Sequence, residues 1–79
     1  MMAEKAYILI ETEPRKTKQV VEAMGNYEGV VSVDVVTGSY DAIAIVEGAT
    51  VEDIGVLLTD TIHHISGISR TVTCFAIKG

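Results

Sequence analysis

The sequence has no tryptophan, one phenylalanine, one proline and one cysteine among its 79 residues. A single cysteine, Cys74, excludes a disulfide within the chain. Its place in the apolar run TVTCFAI predicts a small buried side chain in a reducing cytosol. No apolar run approaches the roughly 20 residues that span a membrane, and the segment MMAEKAYILIETEP lacks the basic and apolar regions of a secretory signal. We therefore expect a soluble, cytoplasmic protein with no membrane partner.

Positive charge is also scarce, since 6 lysines and arginines stand against 11 acidic residues and the net charge is −5. Proteins bind a phosphate backbone through clustered lysine and arginine side chains. The only such cluster, Arg15, Lys16 and Lys18, lies where a helix is predicted to begin, and a solvated helix end explains it. Direct binding of nucleic acid is therefore not expected.

Aliphatic residues are what the sequence has in excess. Hydrophobic residues make up 48% of the chain, and most of them are valine, isoleucine and alanine. A single domain of this size has a thin core, and small domains are often stabilised by oligomerisation. The surplus predicts a second buried surface, formed by contact between subunits.

Hydrophobic periodicity divides the chain into strands and helices. Alternating apolar residues predict strands over 5–12, 30–37, 40–47 and 68–77. A first helix is predicted after Pro14 from helically spaced residues, Val20, Val21, Met24 and Tyr27. A second is predicted behind the Thr50 capping box from a longer series, Val51, Ile54, Leu58, Ile62 and Ile65. His63 and His64 fall in its last turn, and Gly67 ends it.

The order strand–helix–strand–strand–helix–strand predicts an α+β fold of the ferredoxin-like βαββαβ type, with the chain 1–79 as a single domain. Right-handed crossovers then require an antiparallel sheet in the order 4-1-3-2 with both helices on one face. The strands carry apolar residues on both sides, although the helices can cover only one. An exposed sheet face of this kind is an association surface, so the sequence predicts a dimer in which two sheets pack face to face as an αβ-sandwich or barrel.

Few residues form patterns that indicate catalysis or metal binding. His63 and His64 are adjacent, so on a helix they point about 100° apart and do not chelate one ion well. The chain has no C-x-x-C pair and no glycine-rich nucleotide-binding motif. Its strand and loop carboxylates are scattered and include no convincing acid–base pair. We therefore expect no catalytic residues, no metal site and no cofactor.

The stretch VTGSYD, residues 36–41, is the exception. Gly38 lets the backbone bend and leaves N–H groups uncovered, and such groups suit a carboxylate. Asp41 suits an ammonium group. Together they suggest a site for a free amino acid, which carries both charges. The alternative is that Gly38-Ser39 is a plain hairpin turn and Asp41 a solvated residue at the start of a strand.

Two motifs resemble one protein family. They are V-x-x-V-T-G-x-Y-D, here within GVVSVDVVTGSYD, and I-x-x-I-x-G-[VI]-x-x-T-x-T, here residues 62–73. With the order of elements, they make nearly the whole chain similar to the ligand-binding domain of Lrp/AsnC-type transcription regulators, also called the RAM domain. The family pattern often has proline where Ser66 stands, which bears only on the shape of that loop.

The resemblance implies a sheet-to-sheet homodimer that assembles into a higher oligomer, most often an octamer, and binds amino-acid effectors in clefts between dimers. It implies these ligand-binding residues: Gly38, Ser39, Tyr40, Asp41, Thr71 and Thr73. Full regulators of the family carry a helix-turn-helix domain before this one, whereas this sequence starts at the first strand. We therefore expect a stand-alone form that senses an effector or joins mixed oligomers with full-length regulators.

Two other functions are compatible with the same fold. One is a ligand-free assembly adaptor. The other is a small dimeric αβ-barrel enzyme of the monooxygenase or isomerase type, which usually keeps a roomy pocket lined by His, Asn or Trp between helices and sheet. The predicted helices here present valine, leucine and isoleucine instead, so a non-enzymatic regulatory module is the favoured interpretation.

Overall fold

The chain folds in the predicted order of strands and helices. A computed structural model describes residues 3–77. The elements are β1 Glu4–Thr12, α1 Thr17–Met24, β2 Val30–Val35, β3 Ala42–Gly48, α2 Val51–Asp60, a short 3-10 turn Ile62–His64, and β4 Ile68–Phe75. The strands form one sheet in the order β2-β3-β1-β4, and every neighbouring pair is antiparallel. This arrangement confirms the ferredoxin-like fold and the predicted strand order.

One face of the sheet is covered by both helices and forms the core. Residues directly opposite each other in an antiparallel pair share a face, and Ile8 lies opposite Ala44 of β3 and Thr73 of β4. The central strands contribute Ala6, Ile8, Ile10, Ala42, Ala44 and Val46, all fully buried. The helices and the segment after α2 complete this core with Val20, Met24, Ile54, Leu58, Ile62 and Ile65.

The second helix begins as predicted and ends earlier than predicted. The Thr50 hydroxyl accepts a hydrogen bond of 3.1 Å from the Asp53 N–H, which caps α2. The helix stops at Asp60 because Thr61 leaves helical geometry (φ −127°, ψ −66°). Ile62 and Ile65 still reach the core from the 3-10 turn and the residue after it. His63 and His64 therefore lie in that turn and are exposed.

The first helix is also shorter than its apolar pattern. It ends at Met24, with Gly25 as its C-cap, so Val20 and Met24, one turn apart, are its buried residues. Tyr27 lies beyond the helix and is exposed. The apolar spacing therefore extends three positions beyond the end of the helix.

The connection between β2 and β3 is longer than a tight hairpin turn. It runs from Val36 to Asp41, because β2 ends at Val35 and β3 begins at Ala42. The Val36 N–H donates to the Asp41 carbonyl at 2.9 Å, which closes the loop, and the Asp41 N–H donates to the Ile10 carbonyl of β1, also at 2.9 Å. Asp41 is thus tied to β1 before the β3 ladder starts, and the loop 36–41 is attached to the sheet.

The other sheet face, which we call the open face, is covered by no element of residues 3–77. It is formed by apolar side chains of the three neighbouring strands β3, β1 and β4, namely Tyr7, Leu9, Ile43, Ile45, Val72 and Cys74. Charged residues flank it, with Lys5 opposite Glu47 at one end and Glu11 opposite Arg70 at the other. The strands are therefore apolar on both sides, and packing of a second copy on the open face stays a prediction.

The prediction that Cys74 is buried is wrong for the single chain. Cys74 lies opposite Tyr7 on β4 and is exposed in the single chain. Side chains alternate along a strand, and this places Cys74 on the side away from the helices. The apolar run TVTCFAI does not by itself show which side of an edge strand is covered.

Two glycines with similar backbone geometry predict different mutational costs. Gly67 (φ +101°) is buried, and a Cβ there would lie 2.9 Å from Lys16 Cβ and 3.0 Å from Val20 Cγ2, whereas Gly38 (φ +108°) has open space around it. Gly67→Ala is expected to lower the free energy of unfolding by about 2–4 kcal/mol, from the positive φ and from overpacking. Gly38→Ala should cost only about 1–2 kcal/mol. Urea unfolding of both variants tests this, and equal losses would contradict the crowded packing at Gly67.

Candidate functional site

The loop 36–41 presents unpaired backbone donors to solvent. The N–H groups of Thr37, Gly38 and Ser39 donate to no atom of residues 3–77. All three residues are exposed. The positive φ of Gly38 turns the chain here without a Cβ in the way. A run of free amides of this kind can bind an anion such as a carboxylate.

Asp41 ends the loop and is held by the last residue of β1. Its Oδ2 accepts a 2.8 Å hydrogen bond from the Thr12 backbone N–H and a 3.3 Å bond from the Thr12 hydroxyl. The Thr12 hydroxyl in turn lies 2.6 Å from that of Thr17, the first residue of α1. Both bonds end on Oδ2, so Oδ1 is the carboxylate oxygen that this network leaves for a further partner.

Tyr40 links the loop to the rim of the open face. Its hydroxyl accepts a 3.4 Å hydrogen bond from an Arg70 guanidinium nitrogen, and Arg70 Nε lies 3.2 Å from Glu11 Oε2. The Arg70 side chain is 60% exposed and that of Glu11 38% exposed, so solvent screens the ion pair and its contribution to stability is small. Its effect is to place a cation and a phenol beside the loop.

The two threonines implied by the family resemblance lie in another part of the sheet. Thr71 and Thr73 are half-buried on β4, opposite Ile10 and Ile8, and therefore face the helix side. Thr71 is at the same sheet end as the loop, with Ile10 of β1 between it and Ala42. The structure thus gathers Gly38, Ser39, Tyr40 and Asp41 in one loop, but β1 separates that loop from Thr71 and Thr73 within a single chain.

Sequence reasoning missed the residues that hold this loop. Thr12 donates to Asp41 and is itself in contact with Thr17, while Arg70, paired with Glu11, donates to Tyr40. The opposite charges of Glu11 and Arg70, near the ends of two predicted strands, could have indicated this ion pair. Nothing in the sequence singled out Thr12, because its contact is with Asp41, 29 positions away on the neighbouring side of the sheet.

The fully buried core between helices and sheet is apolar. Within residues 3–77 no buried side chain is polar or charged. No group of three His, Cys, Asp or Glu side chains in that range is arranged to hold a metal ion, and no helix in the described part of the chain has the length and apolar character to cross a membrane.

Comparison with known proteins identifies the fold and its relatives. A family model described as the Lrp/AsnC ligand binding domain matches residues 5–79. An uncharacterized HTH-type transcriptional regulator of Pyrococcus furiosus is 31% identical over 71 residues, which span 86% of this chain and 47% of the regulator. The chain thus spans about half the length of the curated relatives it matches.

Solved structures agree with this match. The hypothetical protein PHS023 from Pyrococcus horikoshii has a TM-score of 0.89 and 33% identity, covering 99% of this chain and 93% of that one. The Neisseria meningitidis transcriptional regulator NMB0573, solved as a complex with L-Met, shares the fold at a TM-score of 0.84 and 16% identity, covering 95% of this chain and 50% of that one. The motifs, the strand order and the family match over residues 5–79 together show that this chain belongs to the Lrp/AsnC ligand-binding domain family.

Proposed function

We propose that this chain is a non-enzymatic, cytoplasmic regulatory module of the Lrp/AsnC type that binds an amino-acid effector between dimers. The observation that carries the proposal is the loop 36–41, where free N–H groups stand beside a carboxylate with one uncommitted oxygen. An amino acid carries a carboxylate and an ammonium group on adjacent atoms. The loop offers a complementary partner to each of them.

The binding mode follows from these groups. The effector carboxylate accepts hydrogen bonds from the N–H groups of Thr37, Gly38 and Ser39, and its ammonium group approaches Asp41 Oδ1. Tyr40 borders the site through its hydroxyl, which is anchored by Arg70. Thr71 and Thr73 contact the effector from a neighbouring subunit, because β1 separates them from the loop in their own chain. A site completed by two subunits explains why one chain brings together only part of it.

Assembly is part of the proposal. The apolar open face packs against a second copy, and such dimers join into a higher oligomer, with an octamer as the expected form. The curated relatives are HTH-type transcriptional regulators about twice as long as this chain, and the same face can pair it with them in mixed oligomers. That the Neisseria relative was solved with L-Met supports an amino acid as the class of effector.

Asp41→Asn tests the site. Asparagine keeps an oxygen that can accept the Thr12 N–H but removes the charge that attracts an ammonium group. Isothermal titration of the oligomer with each proteinogenic amino acid should find at least one ligand, whose binding weakens roughly 10- to 100-fold in Asp41→Asn. Asp60→Asn is the matched control, since Asp60 is exposed at the end of α2, and it should bind like the wild type.

The assembly-adaptor function predicts the opposite result. It is favoured by one observation, that Asp41 has a structural partner in Thr12 without any ligand. Under that function no amino acid binds, and Asp41→Asn leaves both the oligomer and its partners unchanged. Absence of binding by every amino acid tested would therefore reject the effector site and leave the adaptor.

A further inference from the structure

The Asp41 carboxylate is held by a chain of hydroxyl groups that belongs to two other elements. Thr12 closes β1 and Thr17 opens α1. The contacts are 2.8 Å from the Thr12 N–H and 3.3 Å from its hydroxyl to Asp41 Oδ2, then 2.6 Å between the two threonine hydroxyls. The loop 36–41 is thereby connected through one side chain to the end of a central strand and the start of a helix.

The protons of this chain can be assigned. A hydroxyl has one proton to donate, and an ionised carboxylate only accepts. The Thr12 hydroxyl donates to Asp41 Oδ2, so the proton in the 2.6 Å contact comes from Thr17. The donation runs from Thr17 to Thr12 to Asp41, and each bond polarises the next in the same direction.

The start of α1 supports this assignment. The N-cap residue of α1 is Lys16, which forms no side-chain cap, and the first turn has no acidic residue. A threonine usually caps a helix from the N-cap position, and Thr17 is one residue too late to do so. Its hydroxyl is directed to Thr12 instead, which gives Thr17 a partner that helix formation alone does not require.

We infer that Thr12 and Thr17 are positioning residues of the amino-acid site. Thr12 engages Oδ2 through both its N–H and its hydroxyl, and Thr17 holds that hydroxyl. Together they set the orientation of the Asp41 carboxylate and direct Oδ1 to the ammonium group of the effector. The ligand-binding part of this inference rests on the proposed function, whereas the orientation of the carboxylate does not. Without the two hydroxyls, the Thr12 N–H alone holds Oδ2, and a single hydrogen bond leaves the carboxylate free to rotate.

The first experiment uses the protein without any amino acid. In the wild type, NMR should detect a scalar coupling across the hydrogen bond between the Thr12 amide nitrogen and the Asp41 carboxyl carbon. Relaxation dispersion should then show increased exchange at the amides of residues 37–40 in Thr12→Val and Thr17→Val. Thr12→Ser, which keeps the hydroxyl, should behave like the wild type, as should Thr59→Val at an exposed site on α2. No coupling in the wild type, or unchanged loop exchange in both valine variants, would overturn the inference.

The second experiment separates positioning from the proposed function. With any amino acid found to bind the wild type, Thr12→Val and Thr17→Val should each bind about fivefold more weakly, the effect of one modest hydrogen bond. Thr12→Ser and Thr59→Val should retain wild-type affinity.

If an amino acid binds and both valine variants bind it as tightly as the wild type, the positioning role is wrong although the proposed function stands. If no amino acid binds, the proposed function fails, and the coupling and loop-exchange measurements still decide the carboxylate orientation. Should a valine variant not fold, the wild-type coupling and Thr17→Ala replace it.

Discussion

Leu9→Asp is expected to convert the oligomer into monomers. Leu9 lies at the centre of the open face, between Ile43 of β3 and Val72 of β4. In a sheet-to-sheet dimer an aspartate there would bury an unpaired charge, which costs about 3–5 kcal/mol. The dissociation constant of the dimer should then rise by at least about 100-fold. Sedimentation velocity at micromolar concentration measures this change directly.

The control for Leu9→Asp introduces the same charge on the other side of the molecule. Val56 is 57% exposed on α2, and α2 packs on the sheet face opposite to the open face. Val56→Asp should therefore leave the dimer intact. A wild-type protein that sediments as a monomer, or a Leu9→Asp variant that stays oligomeric while remaining folded, would reject the open face as the subunit interface.

Ile8→Ala is expected to cause the largest loss of stability within one chain. Ile8 is fully buried on the central strand β1, where it lies between Ala44 and Thr73. Truncating such a side chain removes its transfer free energy and leaves a cavity, at a cost of about 2–5 kcal/mol. Small domains have only about 5–15 kcal/mol of stability in total, so the variant loses a large share of it.

The matched control is Ile77→Ala. Ile77 is 94% exposed, so the same chemical change should alter the free energy of unfolding by no more than about 0.5 kcal/mol. Urea unfolding should be compared at one fixed protomer concentration, because association stabilises the folded state by mass action. A loss below about 1 kcal/mol for Ile8→Ala would mean that the helices do not pack on β1 as described.

Much of the fold could be predicted because the residues that determine it are close together in sequence. Alternation along β1 by itself separates the buried Ile8 and Ile10 from Tyr7 and Leu9. The spacing of Ile54 and Leu58 predicted the buried side of α2, and Thr50 predicted its start. The order of these elements, with right-handed crossovers, leaves few topologies.

The predicted ends of the helices and strands were less accurate than their order, for a physical reason. The stripe of α2 continues through Ile62 and Ile65, yet the helix ends at Asp60, and these two side chains are buried from a 3-10 turn and the residue after it. Apolar spacing reports burial and does not distinguish a helix from a turn that reaches the same core. Similarly, Gly38-Ser39 indicated a bend, but the connection runs from Val36 to Asp41 and is longer than a hairpin turn.

The sequence by itself determined the strand–helix order, the aliphatic surplus on both sides of the sheet, and the glycine loop with its carboxylate, since each depends on neighbouring residues. Only the tertiary structure decided what holds that carboxylate and which face each residue of β4 occupies. Thr12 and Asp41 are 29 positions apart, and they meet because β1 and β3 are adjacent in the sheet. Contacts of this kind depend on which strands pair and in what register, which no local pattern of residues encodes.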